Sequence, residues 1–300
     1  MNVAIEATCV SKRYRSAWAL RDCSLKIPAG RVVALVGPNG AGKTTLLHLA
    51  MGLLPPTSGS ISVFGWSPQH QPMLLLPRVG FIAQERPLYR RLRARELLEF
   101  GRRLNPRWDG ARAQSRIARF DVDPNQRIGK LSGGQQAEVA LALTLAKRPD
   151  LLLLDEPLSS LDPLARREFL QVLMEAVTEE GTSVVLSSHI LGELERTCDY
   201  LVILCQGRVQ VAGDIDSLLA GHRILVGPRA SADDVARDPT VVQASHAPQQ
   251  TTLLVRTNGS SPDPQWEQHE VSLEELALAY LGRPSVGMIA DPLGSARTHH

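Results

Sequence analysis

The chain has 300 residues, 43% of them hydrophobic, enough to bury one sizeable core and leave room for a small second unit. Its 33 basic and 31 acidic residues nearly cancel, so charge gives no reason to expect a nucleic-acid partner or an anionic membrane surface. The strongest apolar run, Leu151 to Leu154, has strand length and falls far short of the roughly 18 to 20 residues that cross a bilayer, so any transport role needs a separate partner.

The first residues carry Glu6 and lack a basic segment leading into an apolar one, which predicts no secretory signal. Cys9, Cys23, Cys198 and Cys205 are scattered, with no C-x-x-C pair and no histidine at metal-ligand spacing, and read as reduced thiols of the cytoplasm. From Val3 to about Ala220, short β-branched or leucine-rich runs alternate with longer helical patterns, the rhythm of a largely parallel sheet covered by helices. The strands expected in order are Arg31 to Val36, Ser60 to Phe64, Val79 to Ala83, Leu151 to Leu154, Ser183 to Ser187 and Leu201 to Leu204. A Gln206-Gly207 turn then leads into Arg208 to Val211.

The first of these strands runs into Gly37, Pro38, Asn39, Gly40, Ala41, Gly42, Lys43, Thr44 and Thr45, followed by a helical pattern near Leu46. Glycines at this spacing let backbone N–H groups and a helix N-terminus wrap phosphates, with Lys43 reaching the β- and γ-phosphates and the Thr44 hydroxyl available to Mg²⁺. The loop alone says only nucleoside triphosphate. Further on, Leu131, Ser132, Gly133, Gly134 and Gln135 open a helical pattern from about Gln136 to Lys147. That is a second helix N-terminus with exposed glycine N–H groups, a phosphate-binding device without a lysine; as a plain helix cap it would use Ser132 in the same place. Leu151 to Leu154 suits a strand buried on both faces and ends in Asp155 and Glu156, which an open α/β sheet delivers beside the ligand at its carboxyl edge. Asp155 fits a Mg²⁺ holder, and Glu156 a general base polarising the attacking water.

Together GPNGAGKTT, LSGGQ, LLLLDEP, the Ser160-Leu161-Asp162 that follows and the lone His189 resemble the ATP-binding cassette of ABC proteins, in order and in spacing. The resemblance covers about the first 220 residues. It implies an α/β fold of the P-loop NTPase type, with a mostly parallel core sheet, an antiparallel β subdomain and a helical subdomain at about 85–148, all within residues 1–221. It also implies that two subunits stack head to tail, Ser132, Gly133, Gly134 and Gln135 of one covering ATP on the phosphate loop of the other.

Single positions carry over as well. Tyr14, in Lys-Arg-Tyr-Arg, matches the aromatic that stacks on adenine. Gln84 matches the glutamine that contacts Mg²⁺ or water and couples to the transmembrane partner. His189 matches the histidine that touches the γ-phosphate, and Asp162 the loop that communicates between sites. Glu138 departs from the pattern, since the family usually carries a basic residue there. Arg86, Arg90, Arg91, Arg93 and Arg95 fall where the family receives its partner's coupling helix and read as candidate docking residues or a solvated face.

The resemblance thus implies an ATP-binding and ATP-hydrolysing subunit with Mg²⁺, a second ATP-binding subunit and a separate transmembrane permease, held at the inner face of the cell membrane through that partner. The stretch from Leu186 to Arg196, with the Cys198-Asp199 after it, looks like bacterial multidrug and antibiotic-type exporters. A soluble ATPase of the same type acting on ribosomes or DNA is the alternative; its relatives carry two cassettes or a long coiled-coil insertion, neither of which is visible here. Residues 222–282 read as a small α+β unit with strands at Val241 to Ala244 and Thr251 to Arg256, and a helix Leu273 to Leu281 opened by a Ser272-x-x-Glu275 capping box. Residues 283–300, with Pro, Gly and Ser and no periodicity, read as a disordered tail.

Overall fold

A computed structural model describes residues 2–159, 161–188, 192, 194–229, 238–257 and 266–282. Ser160, His189 and the expected tail at 283–300 lie outside the described residues.

The chain opens with two long strands, β1 (Val3–Tyr14) and β2 (Ala17–Pro28), which pair antiparallel and take β4 (Ser58–Val63) on the free edge of β1. Neither β1 nor β2 is among the strands expected from sequence. The reason is local: register shifts between Ala7 and Val10, with Cys9 at φ 48°, break the alternation that would mark a half-buried strand.

The central sheet runs in the order β5-β6-β7-β3-β8-β9, formed by β3 (Val32–Val36), β5 (Val79–Ile82), β6 (Leu151–Asp155), β7 (Ser183–Ser188), β8 (Tyr200–Cys205) and β9 (Arg208–Asp214). Only β9 is antiparallel to its neighbour. Its strands alternate between two cores. Ala34, Leu152, Leu154, Val184, Leu186 and Ile203 face one, and Leu35, Leu151, Leu153, Val185 and Val202 face the other. This two-sided burial is what the unbroken leucine run of β6 requires.

On the second face lie α1 (Lys43–Ala50) and the β1 sheet. On the first lie α6 (Pro163–Glu180) and part of α5 (Gly133–Ala146). The other side of α5 joins α3 (Ala94–Leu104) and α4 (Gly110–Arg119) around a separate core of Leu97, Ala113, Ile117, Val139 and Ala142, after the short α2 (Pro72–Leu75). Apolar residues all round α5 serve both cores.

After α7 (Ile215–Ala220) a four-stranded antiparallel sheet follows in the order β11-β12-β10-β13, from β10 (His222–Pro228), β11 (Val241–His246), β12 (Gln250–Arg256) and β13 (Glu267–His269). Strand β10, not among the strands expected from sequence, runs through Gly227 and ends at Pro228. Gly227 is needed for close approach, because a Cβ there would meet the Trp266 ring at 2.5 Å. The last helix, α8 (Leu273–Leu281), has the expected Ser272–Glu275 capping box. Leu273, Leu276 and Tyr280 of α8 pack into the same core as β6, β7 and α6. Tyr280 is also tied to the C-terminal sheet: Arg256 Nε and Nη2 donate to its hydroxyl at 3.0 and 2.8 Å, and that hydroxyl lies 2.9 Å from His222 Nε2.

Candidate nucleotide site

The cleft follows from the connection between β3 and α1. A Cβ at Gly37 would lie 2.2 Å from the Leu204 carbonyl oxygen, and one at Gly42, where φ is 106°, would lie 2.4 Å from the Ala19 carbonyl oxygen. Only glycine allows the loop to pass so close to β2 and β8 and then enter α1 directly. Helix α1 starts at Lys43, three residues before the expected Leu46, so the N–H groups of its first turn belong to the loop. Asn39, Gly40, Ala41, Gly42, Lys43, Thr44 and Thr45 line a cleft of about 410 Å³ together with Ala19, Gln84 and Glu156.

Lys43 is buried, and its ammonium donates to the Gly37 carbonyl at 2.7 Å and to that of Pro38 at 3.4 Å. It also lies 3.2 Å from Glu156 Oε1. Glu156 has φ 46°, a region few non-glycine residues enter, at the point where β6 ends and the chain must turn its carboxylate into the cleft. Asp155 is 1% exposed. Its Oδ1 accepts from the Ser187 hydroxyl at 2.8 Å, and the Ser187 oxygen accepts from the Glu156 N–H at 2.8 Å. Ser187 thus orients both acidic residues, a role that sequence reading missed. The signal was available in the parallel register, which pairs Asp155 with Ser187.

Thr44 and Gln84 are exposed at the cleft, Gln84 just after β5 ends. The Thr44 hydroxyl, the Gln84 amide oxygen and the Asp155 carboxylate are hard oxygen donors of the kind Mg²⁺ accepts alongside substrate phosphates, so the residue set fits that ion.

Tyr14 ends β1 and is 44% exposed, with the Lys12 ammonium 5.4 Å from its ring centroid; it is not among the residues that line the cleft. Ser132, Gly133, Gly134 and Gln135 also lie outside that lining. Ser132 is the N-cap of α5: its hydroxyl accepts from the Gln135 N–H at 3.1 Å, while Gln135 Oε1 accepts from the Ser132 N–H at 3.2 Å. This capping box starts α5 three residues before the expected Gln136, and it leaves Ser132 and Gly133 exposed. Asp162 is likewise a cap, its carboxylate accepting from the Leu164 and Ala165 N–H groups at 3.0 Å each, with Pro163 opening α6.

Glu138, the departure on α5, is buried, and its Oε1 has no hydrogen-bond partner among the described residues. Burial, reinforced by Glu168 on α6 and opposed by Arg116 and Arg119 on α4, pushes its carboxyl up to about 7. The folded chain therefore keeps a proton that the unfolded chain releases between about pH 4.5 and 7, so stability falls as pH rises through that window. Glu138→Gln removes this penalty. The variant should unfold later than wild type at pH 8, by on the order of 3 kcal/mol at most, and show little difference at pH 4.5, as read by urea unfolding at both values.

A family profile described as "ABC transporter" matches residues 20–159, a span that holds the phosphate loop, α5 and Glu156. The Nod factor export ATP-binding protein I of Rhizobium johnstonii is 34% identical over 261 residues, covering 85% of this chain and 79% of the relative. The thiamine import ATP-binding protein ThiQ of Vibrio cholerae is 35% identical, covering 71% and 90%. Among solved structures, a dimeric post-hydrolysis state of the ATP-binding cassette MJ0796 bound to ADP and Pi superposes with a TM-score of 0.63 at 26% identity, covering 70% of this chain and 98% of that one. With the phosphate loop, the buried acidic pair and the capped glycine helix in one fold, and with this reach of similarity, the chain belongs to the ATP-binding proteins of ABC transporters.

Proposed function

We propose that this chain hydrolyses MgATP at two sites shared between two subunits, and that the resulting motion drives a separate membrane-spanning partner that exports its cargo. The observation that carries the reading is the Lys43–Glu156 contact at 3.2 Å, which puts a phosphate-binding cation and a candidate base in one cleft. The exposed glycine end of α5 lies outside the lining of that cleft, which supports its service to the nucleotide of a second subunit.

In this mechanism Lys43 and the N–H groups from Asn39 to Thr45 bind the phosphates, and Tyr14 stacks on the adenine. Thr44, Asp155 and Gln84 would hold Mg²⁺, whose charge offsets that of the phosphates. Glu156 takes the proton of the attacking water. Ser132, Gly133, Gly134 and Gln135 of the second subunit complete the site, with Asp162 beside them. His189 keeps the γ-phosphate contact that the resemblance implies. Export is favoured over import because the Nod factor export relative aligns over 85% of this chain and the thiamine import relative over 71%.

Docking of the partner falls to the segment before α3. Arg90 and Arg91 are exposed there, next to Tyr89, which meets Phe100 edge to face at 5.7 Å. Replacing Arg90 and Arg91 together with Glu should strongly reduce co-purification with the membrane-spanning partner, while basal ATPase stays within about twofold. Unchanged co-purification would remove these arginines, and a chain that never fractionates with membranes would remove the transport coupling.

A further inference from the structure

Arg86 lies two residues beyond Gln84, with φ 44°, its N–H donating to the Ala83 carbonyl at 3.0 Å. This tight turn brings its half-buried guanidinium between two elements far apart in sequence. Nη2 donates to the Pro157 carbonyl at 2.8 Å, and Nη1 to the Gly133 carbonyl at 3.4 Å. Pro157 directly follows Glu156, and Gly133 is the first residue of α5.

From this we propose that Arg86 is a positioning residue: it fixes the phosphate-binding end of α5 to the strand end that carries Glu156, and ties both to the segment bearing Gln84. The inference rests on the roles given above to Glu156 and α5. A planar guanidinium suits the task because its N–H groups diverge and can reach two carbonyls at once, whereas a lysine ammonium is a compact point charge on a flexible stem.

The opposite side of the α5 start is also held. A Cβ at Gly134 would lie 3.4 Å from Ala165 Cβ, in the first turn of α6 just after the Asp162 cap. The first turn of α5 is therefore set between the guanidinium and α6. Helices α3 and α4 share a core of their own with one side of α5, whose other side packs on the central sheet, so a shift of α3 and α4 against the sheet acts through α5. Arg86 joins the Gln84 segment to both the start of α5 and the residue after Glu156, so such a shift stretches the Gly133 and Pro157 contacts.

The test uses the full-length chain. Arg86→Met keeps an apolar stem and removes the guanidinium; Arg86→Lys restores the charge but not the fork. Arg86→Met should lower kcat about tenfold or more, with affinity for a fluorescent ATP analogue within about twofold of wild type and the unfolding temperature nearly unchanged. Arg86→Lys should recover part of the loss. In a Glu156→Gln background, Arg86→Met should raise several-fold the ATP concentration needed for dimerisation, read by size-exclusion chromatography, while the nucleotide affinity of the monomer holds.

Wild-type kcat in Arg86→Met overturns the proposal, and so does a fall in kcat matched by an equal fall in ATP affinity. If Arg86→Met does not fold, the kcat-against-affinity split in Arg86→Lys decides by the same criteria. The two readings fail separately. Turnover in Glu156→Gln alone removes the catalytic reading, whereas an inactive Glu156→Gln beside a fully active Arg86→Met removes only the role of Arg86.

Discussion

Glu156→Gln should bind ATP and fail to turn it over, with kcat reduced by about 10²-fold to 10⁴-fold, the range a positioned general base contributes. The amide keeps the size and most of the packing of the carboxylate in a cleft where Glu156 is 8% exposed, so the fold has no reason to give way. Its backbone N–H still donates to Ser187, and Ser187 still donates to Asp155, so the neighbouring acid stays oriented. What disappears is the proton acceptor and, with it, the charge facing Lys43 at 3.2 Å. Loss of that competitor leaves Lys43 freer for phosphate, so ATP affinity should hold or rise, and ATP should drive the variant into a lasting dimer. Single-turnover hydrolysis at the wild-type rate would remove Glu156 as the base.

The second large effect concerns the composite site. Ser132→Arg should inactivate the protein, because it places a long guanidinium at the exposed first turn of α5, where the next subunit's phosphates would approach. The substitution also removes a capping hydroxyl, worth about 1 kcal/mol, which lowers stability without unfolding the chain. Lys43→Ala should be inactive for a different reason, having lost the buried ammonium that the phosphate loop holds between Gly37 and Glu156. An equal mixture of the two should regain activity. In a mixed dimer one site joins an intact Lys43 to an intact Ser132, while the other site carries both defects. With random pairing about half the dimers are mixed, each with one site of two, so the mixture should reach about a quarter of wild-type ATPase at most. Full wild-type activity in the mixture, or in Ser132→Arg alone, would dismantle the head-to-tail arrangement.

Much of this site was legible in the sequence because its parts are contiguous. The phosphate loop, Ser132 to Gln135 and the Asp155–Glu156 pair each declare themselves within a few residues, and a buried parallel strand such as β6 reads as an unbroken apolar run. What sequence hid depends on pairing across distance. Ser187 acts through its register opposite Asp155, and Arg86 through carbonyls at Gly133 and Pro157, neither of which has a local signature. Strands β1 and β2 were missed because bulges near Cys9 disturb the period of two, and β10 because Gly227 serves the Trp266 ring where glycine usually punctuates a chain. Ser132 and Asp162 are both N-caps, so the short polar residues to which the resemblance assigns function are also the ones that start α5 and α6.

Tyr280 and its neighbours in α8 carry one more consequence. Because α8 shares its core with β6, β7 and α6 while Arg256 and His222 hold Tyr280 to the C-terminal sheet, neither part can lose its packing without exposing the other. Heat or denaturant should therefore melt the two as one cooperative transition, and a molecule that gripped the C-terminal sheet would raise the melting temperature of the distant phosphate loop by simple mass action.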